Sequence, residues 1–398
     1  MQVKVIRGQN QIGGSIIEIS TEYTKIIFDI GINLEEQGDV EVPQIEGLFC
    51  GNPSYNAVFV SHYHSDHIGL LNHVLEEIPV YIGKQAYEIA KSAAEYCGKN
   101  FDIKHFDFSD GSVFDVGDLR ITAYRCDHSA FDSYMFLVDD GEKRLLYSGD
   151  FRANGHMEFN SLLEKLPEVD ALIVEGTMLS RETFDKNIEE ESLEEIAENA
   201  LKQYSGPAFL LSSAMNVDRI ITGYNVAKTA GRLFLEDLYT AGIMSAIGDG
   251  VPVPGNEGIK VFMTGGDRQY ELLKHYEDCK IGKAGISHSK FLMCIRPSMK
   301  NYLNKLLEEF SFENGILFYS MWKGYQDRPE MKAFLEWMES NGVKIHVLHT
   351  SGHADISTID ALVKKVNPKK IIPVHTEAPE WYLRYDKQVL LEDNSIFI

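Results

Sequence analysis

Four metal-ligand side chains fall within six residues, His62-Tyr63-His64-Ser65-Asp66-His67, directly after the apolar run Ala57 to Ser61. A short apolar run of this kind is the composition of a buried strand, so the cluster is delivered at a strand's carboxyl end. On extended chain, residues two apart share a face, which lets His62 and His64 grip one ion. Asp66 and His67 stand at the turn into the helical stretch His67-Ile68-Gly69-Leu70-Leu71 and can face a second ion a few ångströms away.

One such motif cannot fill two coordination spheres, because zinc takes about four to five donors. Other donors must come from distant strand ends. The candidates are His128 in RCDHSAFDS, Asp150 in YSGDF, and His353 and His375 near the carboxyl terminus. Each alone reads as an ordinary hydrogen-bonded residue, but their shared placement after apolar strands makes them candidate ligands. Asp150 ends the second strand of a hairpin turned at Asp140-Gly141.

Short strands dominate up to Thr177, with one amphipathic helix over Gln85 to Tyr96. Beyond Thr177, apolar strands alternate regularly with helices, the first over Ile188 to Tyr204, as in a doubly wound α/β layer. KIHVLHTSGHAD and KKIIPVHTE are two further apolar strands, each running into a histidine, and they rejoin the first pattern. The chain is therefore divided into a metal-binding domain over residues 1–179, an insertion over 180–341 and a completing segment over 342–398.

With 398 residues, 44% of them hydrophobic, a large packed core is expected. A formal charge of −22 argues against non-specific binding to phosphate backbones, so a nucleic-acid role would need a local basic groove or the metals themselves. Five cysteines scattered singly give no CxxC metal or redox site. The absence of a secretory pattern and of any apolar run of about 18 residues leads to the expectation of a cytoplasmic protein without membrane association.

These motifs resemble those of the metallo-β-lactamase superfamily, and within it the β-CASP nucleases that include ribonuclease J and the endonuclease subunit of the pre-mRNA cleavage factor. Asp29 in FDIG looks like the first motif, HYHSDH the second, His128 the third and Asp150 the fourth. Glu175 in VEGT, His353 in SGHAD and His375 in PVHTE look like the three motifs of the β-CASP group, a likeness covering nearly the whole chain. The resemblance implies an α/β fold, an αββα sandwich carrying an inserted doubly wound β-CASP domain. It further implies two zinc ions, with manganese as the other metal considered: His62, His64 and His128 on one, Asp66, His67 and His375 on the other, and Asp150 with a hydroxide bridging both. His353 is then available to stabilise or protonate the departing oxygen, Glu175 to orient His353, and Asp29 to support the ligand loop. A histidine at position 375 is the form found in relatives that process RNA, where those acting on DNA tend to carry valine. The implied function is a ribonuclease, with RNA favoured over DNA. Ser212, Ser213, Asn216 and Arg219 resemble a stretch that meets substrate phosphate, against the plainer reading of a turn and a helix cap.

The sequence also departs from the pattern. Only 23 residues follow His375, so no dimerising carboxyl-terminal domain and no amino-terminal RNA-binding module are expected, and the oligomeric state is left open. KAGISHSKFLMCIRPSM stands where archaeal relatives carry a glycine-rich stretch. Tyr319, Trp322 and Tyr325, beside Lys323 and Arg328, are candidates for stacking on unpaired bases, with core packing as the alternative. A second function class stays in play, a metallohydrolase of small thioesters, lactones or cyclic phosphodiesters, motivated by the acidic charge. A non-catalytic scaffold is disfavoured because all seven metal donors are present. A flavin-dependent oxidase is disfavoured because that chemistry normally carries glutamate where His64 stands.

Overall fold

A computed structural model of the chain describes residues 1–34, 40–180, 186–391 and 396–398. Two compact units emerge, one of residues 1–90, 101–187 and 352–398, the other of 91–100 and 188–351.

The first unit is built on two seven-stranded sheets. One runs in the order Ile396–Phe397, Gln2–Arg7, Ile16–Ser20, Lys25–Phe28, Ala57–Phe59, Val80–Gly83, His105–Phe108. The other runs Gln388–Val389, Lys370–Pro373, Ala171–Val174, Arg144–Tyr147, Ser133–Asp139, Leu119–Cys126, Val113–Val116. Successive side chains of a strand point to opposite faces, and Ser133–Asp139 shows what this achieves. Tyr134, Phe136 and Val138 enter the core between the sheets, where Phe28 stacks on Phe136 at 5.1 Å and on Tyr147 at 5.2 Å. Met135 and Leu137 point the other way, into a cluster with Leu162 of the helix Phe159–Lys165 and with Ile359, Leu362 and Val363 of the helix Ile356–Val366. Both faces are covered, which is why this strand reads as a continuous apolar run rather than an alternating one. This is the α/β metallo-β-lactamase sandwich.

Strand pairing sets where the functional segments leave the sheets. Ala57–Phe59 lies between two parallel neighbours, Lys25–Phe28 and Val80–Gly83, so the HYHSDH segment emerges from the middle of its sheet. In the second sheet Arg144–Tyr147, Ala171–Val174 and Lys370–Pro373 are consecutive and parallel, with Tyr147 paired to Ile173 and Val174 to Pro373. Asp150, Glu175 and His375 follow these three strands by one to three residues.

The second unit holds a six-stranded, wholly parallel sheet in the order Ile259–Phe262, Leu233–Asp237, Phe291–Ile295, Ala208–Leu211, Gly315–Tyr319, Val343–Val347. Helices such as Glu190–Leu201, Val217–Thr229 and Pro329–Ser340 connect and cover its strands, giving the doubly wound insertion. The strand Val343–Val347, which its sequence pattern assigns to the completing segment, instead pairs along its whole length with Gly315–Tyr319. It is the last strand of the inserted sheet, and the helix Pro329–Ser340 provides the crossover such a parallel pair requires. Among the described residues no helix is long and apolar enough to cross a membrane.

Candidate metal centre

The HYHSDH segment changes conformation midway. His64 is extended, with φ −65° and ψ 148°, and the short helix Ser65–Ile68 follows at once. His62 and His64 thus leave extended chain, while Asp66 and His67 lie on one helical turn. His375 and Asp29 both have positive φ, 50° and 56°. A left-handed backbone is uncommon for a side chain other than glycine's and is found preferentially at functional sites.

The structure brings together all seven predicted donors with Glu175 and His353. Ligand atoms of His62, His64 and His128 lie within 4.8 Å of one another, as do those of Asp66, His67 and His375, of His62, His67 and Asp150, and of Asp150, Glu175, His353 and His375. Asp150 joins the groups, its Oδ2 standing 3.2 Å from His67 Nε2, 3.7 Å from His375 Nε2 and 3.8 Å from His62 Nε2. Asp66 Oδ2 is 3.1 Å from His375 Nε2.

The outer nitrogens explain the inner ones. His67 Nδ1 meets Asp29 Oδ2 at 2.8 Å, His375 Nδ1 meets Thr177 Oγ1 at 2.8 Å, His62 Nδ1 meets Ser61 Oγ at 3.0 Å, and His128 Nδ1 meets the Gly352 carbonyl. Ser61 Oγ already donates to Asp29 Oδ2 and Thr177 Oγ1 to the His375 carbonyl, so each hydroxyl can accept from an imidazole N–H. Each of these four contacts suits a proton on Nδ1, which leaves Nε2 as the nitrogen turned inward, the arrangement that carboxylates, hydroxyls and carbonyls impose on metal-binding histidines. His64 differs, placing Nδ1 3.3 Å from His128 Nε2.

Burial, reinforced by neighbouring histidines, pushes His62 and His128 well below the ordinary imidazole range and is the largest cause that lowers His64 to about 4. These three imidazoles are therefore neutral at physiological pH, the form a cation requires of a histidine. Burial also opposes charge on His67 and His375, but Asp150, Asp66 and, for His67, Asp29 overcome it and raise both. Carboxylate charge that favours a proton on these nitrogens favours a divalent cation in its place. Asp150 and Asp66 are held below the usual carboxylate range despite burial, Asp150 by His375, His67 and His353 and Asp66 by His67 and His375.

Buried polar atoms are almost always paired, yet His62 Nε2, His67 Nε2 and Asp150 Oδ1 have no hydrogen-bond partner. All three belong to the predicted donor set. A metal centre accounts for them, so the residues fit divalent cations.

His353 stands beside this donor set. Its Nδ1 is 3.1 Å from Glu175 Oε2 and 3.5 Å from Asp150 Oδ2, and its side chain is 20% exposed. Glu175 is fully buried and fixed by the backbone N–H groups of Phe151 at 3.0 Å and Thr177 at 3.2 Å. Asp29 meets the donor set directly at His67 and, by way of the Ser61 hydroxyl, at His62, and it also accepts from Ser61 N at 2.7 Å and from Tyr147 Oη at 2.6 Å. Ser61, Tyr147, Thr177 and the Gly352 carbonyl were not singled out from the sequence, although the last three lie within YSGDF, VEGT and SGHAD. Ser61 and Thr177 were within reach of sequence reasoning as hydroxyls beside His62 and Glu175.

The other candidates lie in the second unit. Ser212 is buried and Ser213 exposed at the carboxyl end of Ala208–Leu211, and Asn216 caps the next helix by accepting from Arg219 N at 3.3 Å. Arg219 is fully buried. Its guanidinium is paired with Glu190 at 3.0 and 3.1 Å and also donates to Ser320 and to the Leu348 carbonyl, which leaves it no role in meeting substrate phosphate. Tyr319 is core, whereas Trp322 is 43% exposed and meets the Tyr325 ring edge-on at 5.3 Å, with Arg328 over Tyr325 at 4.2 Å.

Two family models match the chain, one described as a β-lactamase superfamily domain over residues 24–202 and one as a Zn-dependent metallo-hydrolase RNA specificity domain over residues 341–381. The chain is a metal-dependent hydrolase of the metallo-β-lactamase superfamily. The two matched regions, together with relatives named as ribonucleases, support a β-CASP, ribonuclease J-like chain within it. It is 24% identical to ribonuclease J of Mycoplasma pneumoniae, over 93% of this chain and 67% of that protein. A protein of Methanocaldococcus jannaschii described as a probable RNase is 23% identical, over 92% of this chain and 91% of its own length. Among solved structures, a protein of unknown function from Enterococcus faecalis shares the fold with a TM-score of 0.83 at 20% identity, over 99% of both chains.

Proposed function

We propose that the chain is a phosphodiesterase that cleaves RNA with two divalent cations, preferentially zinc. His62, His64 and His128 hold one cation, Asp66, His67 and His375 the other, and Asp150 is shared. The observation that carries the reading is the His353–Glu175 pair, a hydrogen-bonded histidine beside a donor set complete without it. RNA as the polymer is supported by the description of the model that spans both His353 and His375, and by relatives named as ribonucleases.

When bound, the cations supply Lewis acidity at phosphorus and a deprotonated water near neutral pH. Asp150 and Asp66 keep negative charge at the centre. The neutral histidines present Nε2, or Nδ1 for His64, and their outer hydrogen bonds hold each ring in place. His353, oriented by Glu175 at Nδ1, gives a proton from Nε2 to the departing oxygen. Glu175 is a positioning residue, since it reaches the reacting atoms only through His353. Ser212 and Ser213 contact substrate phosphate, and Trp322 with Tyr325 offers aromatic rings to unpaired bases.

Labelled single-stranded RNA and matched DNA, incubated with protein loaded with zinc or manganese, test this directly. RNA cleavage by the wild type that disappears in Asp150→Ala is expected, and the product ladder reports polarity. Two bound metals per chain without RNA cleavage would overturn the reading in favour of a small ester or cyclic phosphodiester.

A further inference from the structure

A cavity of 610 Å³ opens in the second unit at the amino ends of three neighbouring strands. Arg232 precedes Leu233–Asp237, Glu257 precedes Ile259–Phe262, and Ser289 and Lys290 precede Phe291–Ile295. Tyr224 and Lys228 reach it from the helix Val217–Thr229. Ser212 and Ser213 follow the carboxyl end of Ala208–Leu211 in the same parallel sheet, so the cavity lies at the opposite edge from them. Open α/β sheets usually take ligands at carboxyl ends, which makes this a separate feature rather than part of the substrate path.

Its charge runs against that of the molecule. In a chain of −22, three cations, Lys228, Arg232 and Lys290, line the space with the single carboxylate Glu257. Arg232 is held by neutral acceptors, donating from Nη1 to the Gly206 and Phe291 carbonyls at 2.9 and 3.2 Å and from Nη2 to the Tyr204 carbonyl at 3.1 Å. Three carbonyls fix the guanidinium without cancelling its charge, and a fixed cation binds an anion at low ordering cost. Lys228 Nζ stands 5.8 Å from the centre of the Tyr224 ring, so cation and aromatic face occur together. The volume lies within the range of small-ligand sites.

We propose that this cavity binds a free phosphate monoester of mononucleotide size, with the phosphate on Lys228, Arg232 and Lys290 and the ring against Tyr224. The proposal does not depend on the RNA reading, because it concerns other residues and a ligand that is not cleaved.

Calorimetric titration of the full chain with adenosine 5′-monophosphate, adenosine and inorganic phosphate tests it. Saturable binding of the monophosphate is expected, with inorganic phosphate weaker and adenosine weaker still. Lys228 and Lys290 are both exposed, so Lys228→Ala/Lys290→Ala should fold normally and bind the monophosphate at least about tenfold more weakly, a loss of about 1.4 kcal/mol. Asp150→Ala should bind it as the wild type does. No saturable signal up to about 5 mM, unchanged affinity in the lysine variant, or loss of binding in Asp150→Ala would each overturn the proposal.

Discussion

Glu175 Oε2 and His353 Nδ1 lie 3.1 Å apart across 178 residues of sequence. Neither is needed to complete the two donor groups, so their removal should separate chemistry from metal binding. His353→Ala is expected to lower kcat by about 100-fold or more. Glu175→Gln should lower it about 10- to 100-fold, with KM and metal content near wild type in both. Because Glu175 acts through His353, the double variant should be little slower than His353→Ala alone. Additive losses in steady-state kinetics would count against a shared step.

Asp29 stands one step behind the candidate donors, bonded to His67 and linked through Ser61 to His62. Asp29→Asn keeps a residue tolerant of positive φ but gives up the carboxylate. Zinc affinity measured by chelator competition should fall about 10- to 100-fold, while the far-ultraviolet circular dichroism stays unchanged.

Arg219 and Glu190 form an ion pair in which both side chains are fully buried. Removing one partner strands a charge, so Glu190→Ala should cost about 3–5 kcal/mol in denaturant unfolding. Replacing both, as Arg219→Met/Glu190→Leu, should recover much of that loss. If Arg219 instead met substrate, Arg219→Met would raise KM without lowering stability.

Glu236 is fully buried on the strand Leu233–Asp237, and neither carboxyl oxygen has a hydrogen-bond partner. Burial, reinforced by Asp237, holds it neutral well above the usual carboxylate range. The sign follows from linkage: the raised group's contribution is fully present below the unfolded pKa of about 4.3 and is lost as pH climbs toward the folded value. Urea unfolding from pH 4 to 9 should show this decline in the wild type and a flatter profile in Glu236→Gln. Parallel profiles would mean that Glu236 is not the group responsible.

That the predicted donors would come together was legible because most of them follow apolar strands, and a strand's carboxyl end is where a parallel sheet releases its chain. HYHSDH and His375 obey that rule, Asp150 follows a strand that is parallel on one side, and His128 follows a strand that is antiparallel to both neighbours. Of the partners that hold the rings, Asp29 was anticipated and Ser61 and Thr177 stand close to named residues, but Tyr147 and the Gly352 carbonyl have no signature until the chain is folded. Tyr147 reaches Asp29 from the facing sheet, 118 residues away. Arg219 failed for a related reason: its spacing after Asn216 is the same whether it meets phosphate or a carboxylate, and the helix bearing Glu190 decides the matter. Val343–Val347 is apolar enough for either sheet, and only its register with Gly315–Tyr319 assigns it.

Ala171–Val174 and Lys370–Pro373 are adjacent strands separated by the whole insertion, and Thr177 meets His375 across 198 residues. Closing so long a loop costs entropy that is recovered only when its ends meet, and long-range parallel pairing is slow. In chain order, then, the donor group of His62, His64 and His128 is complete before the insertion begins, whereas that of Asp66, His67 and His375 waits until the insertion has been made.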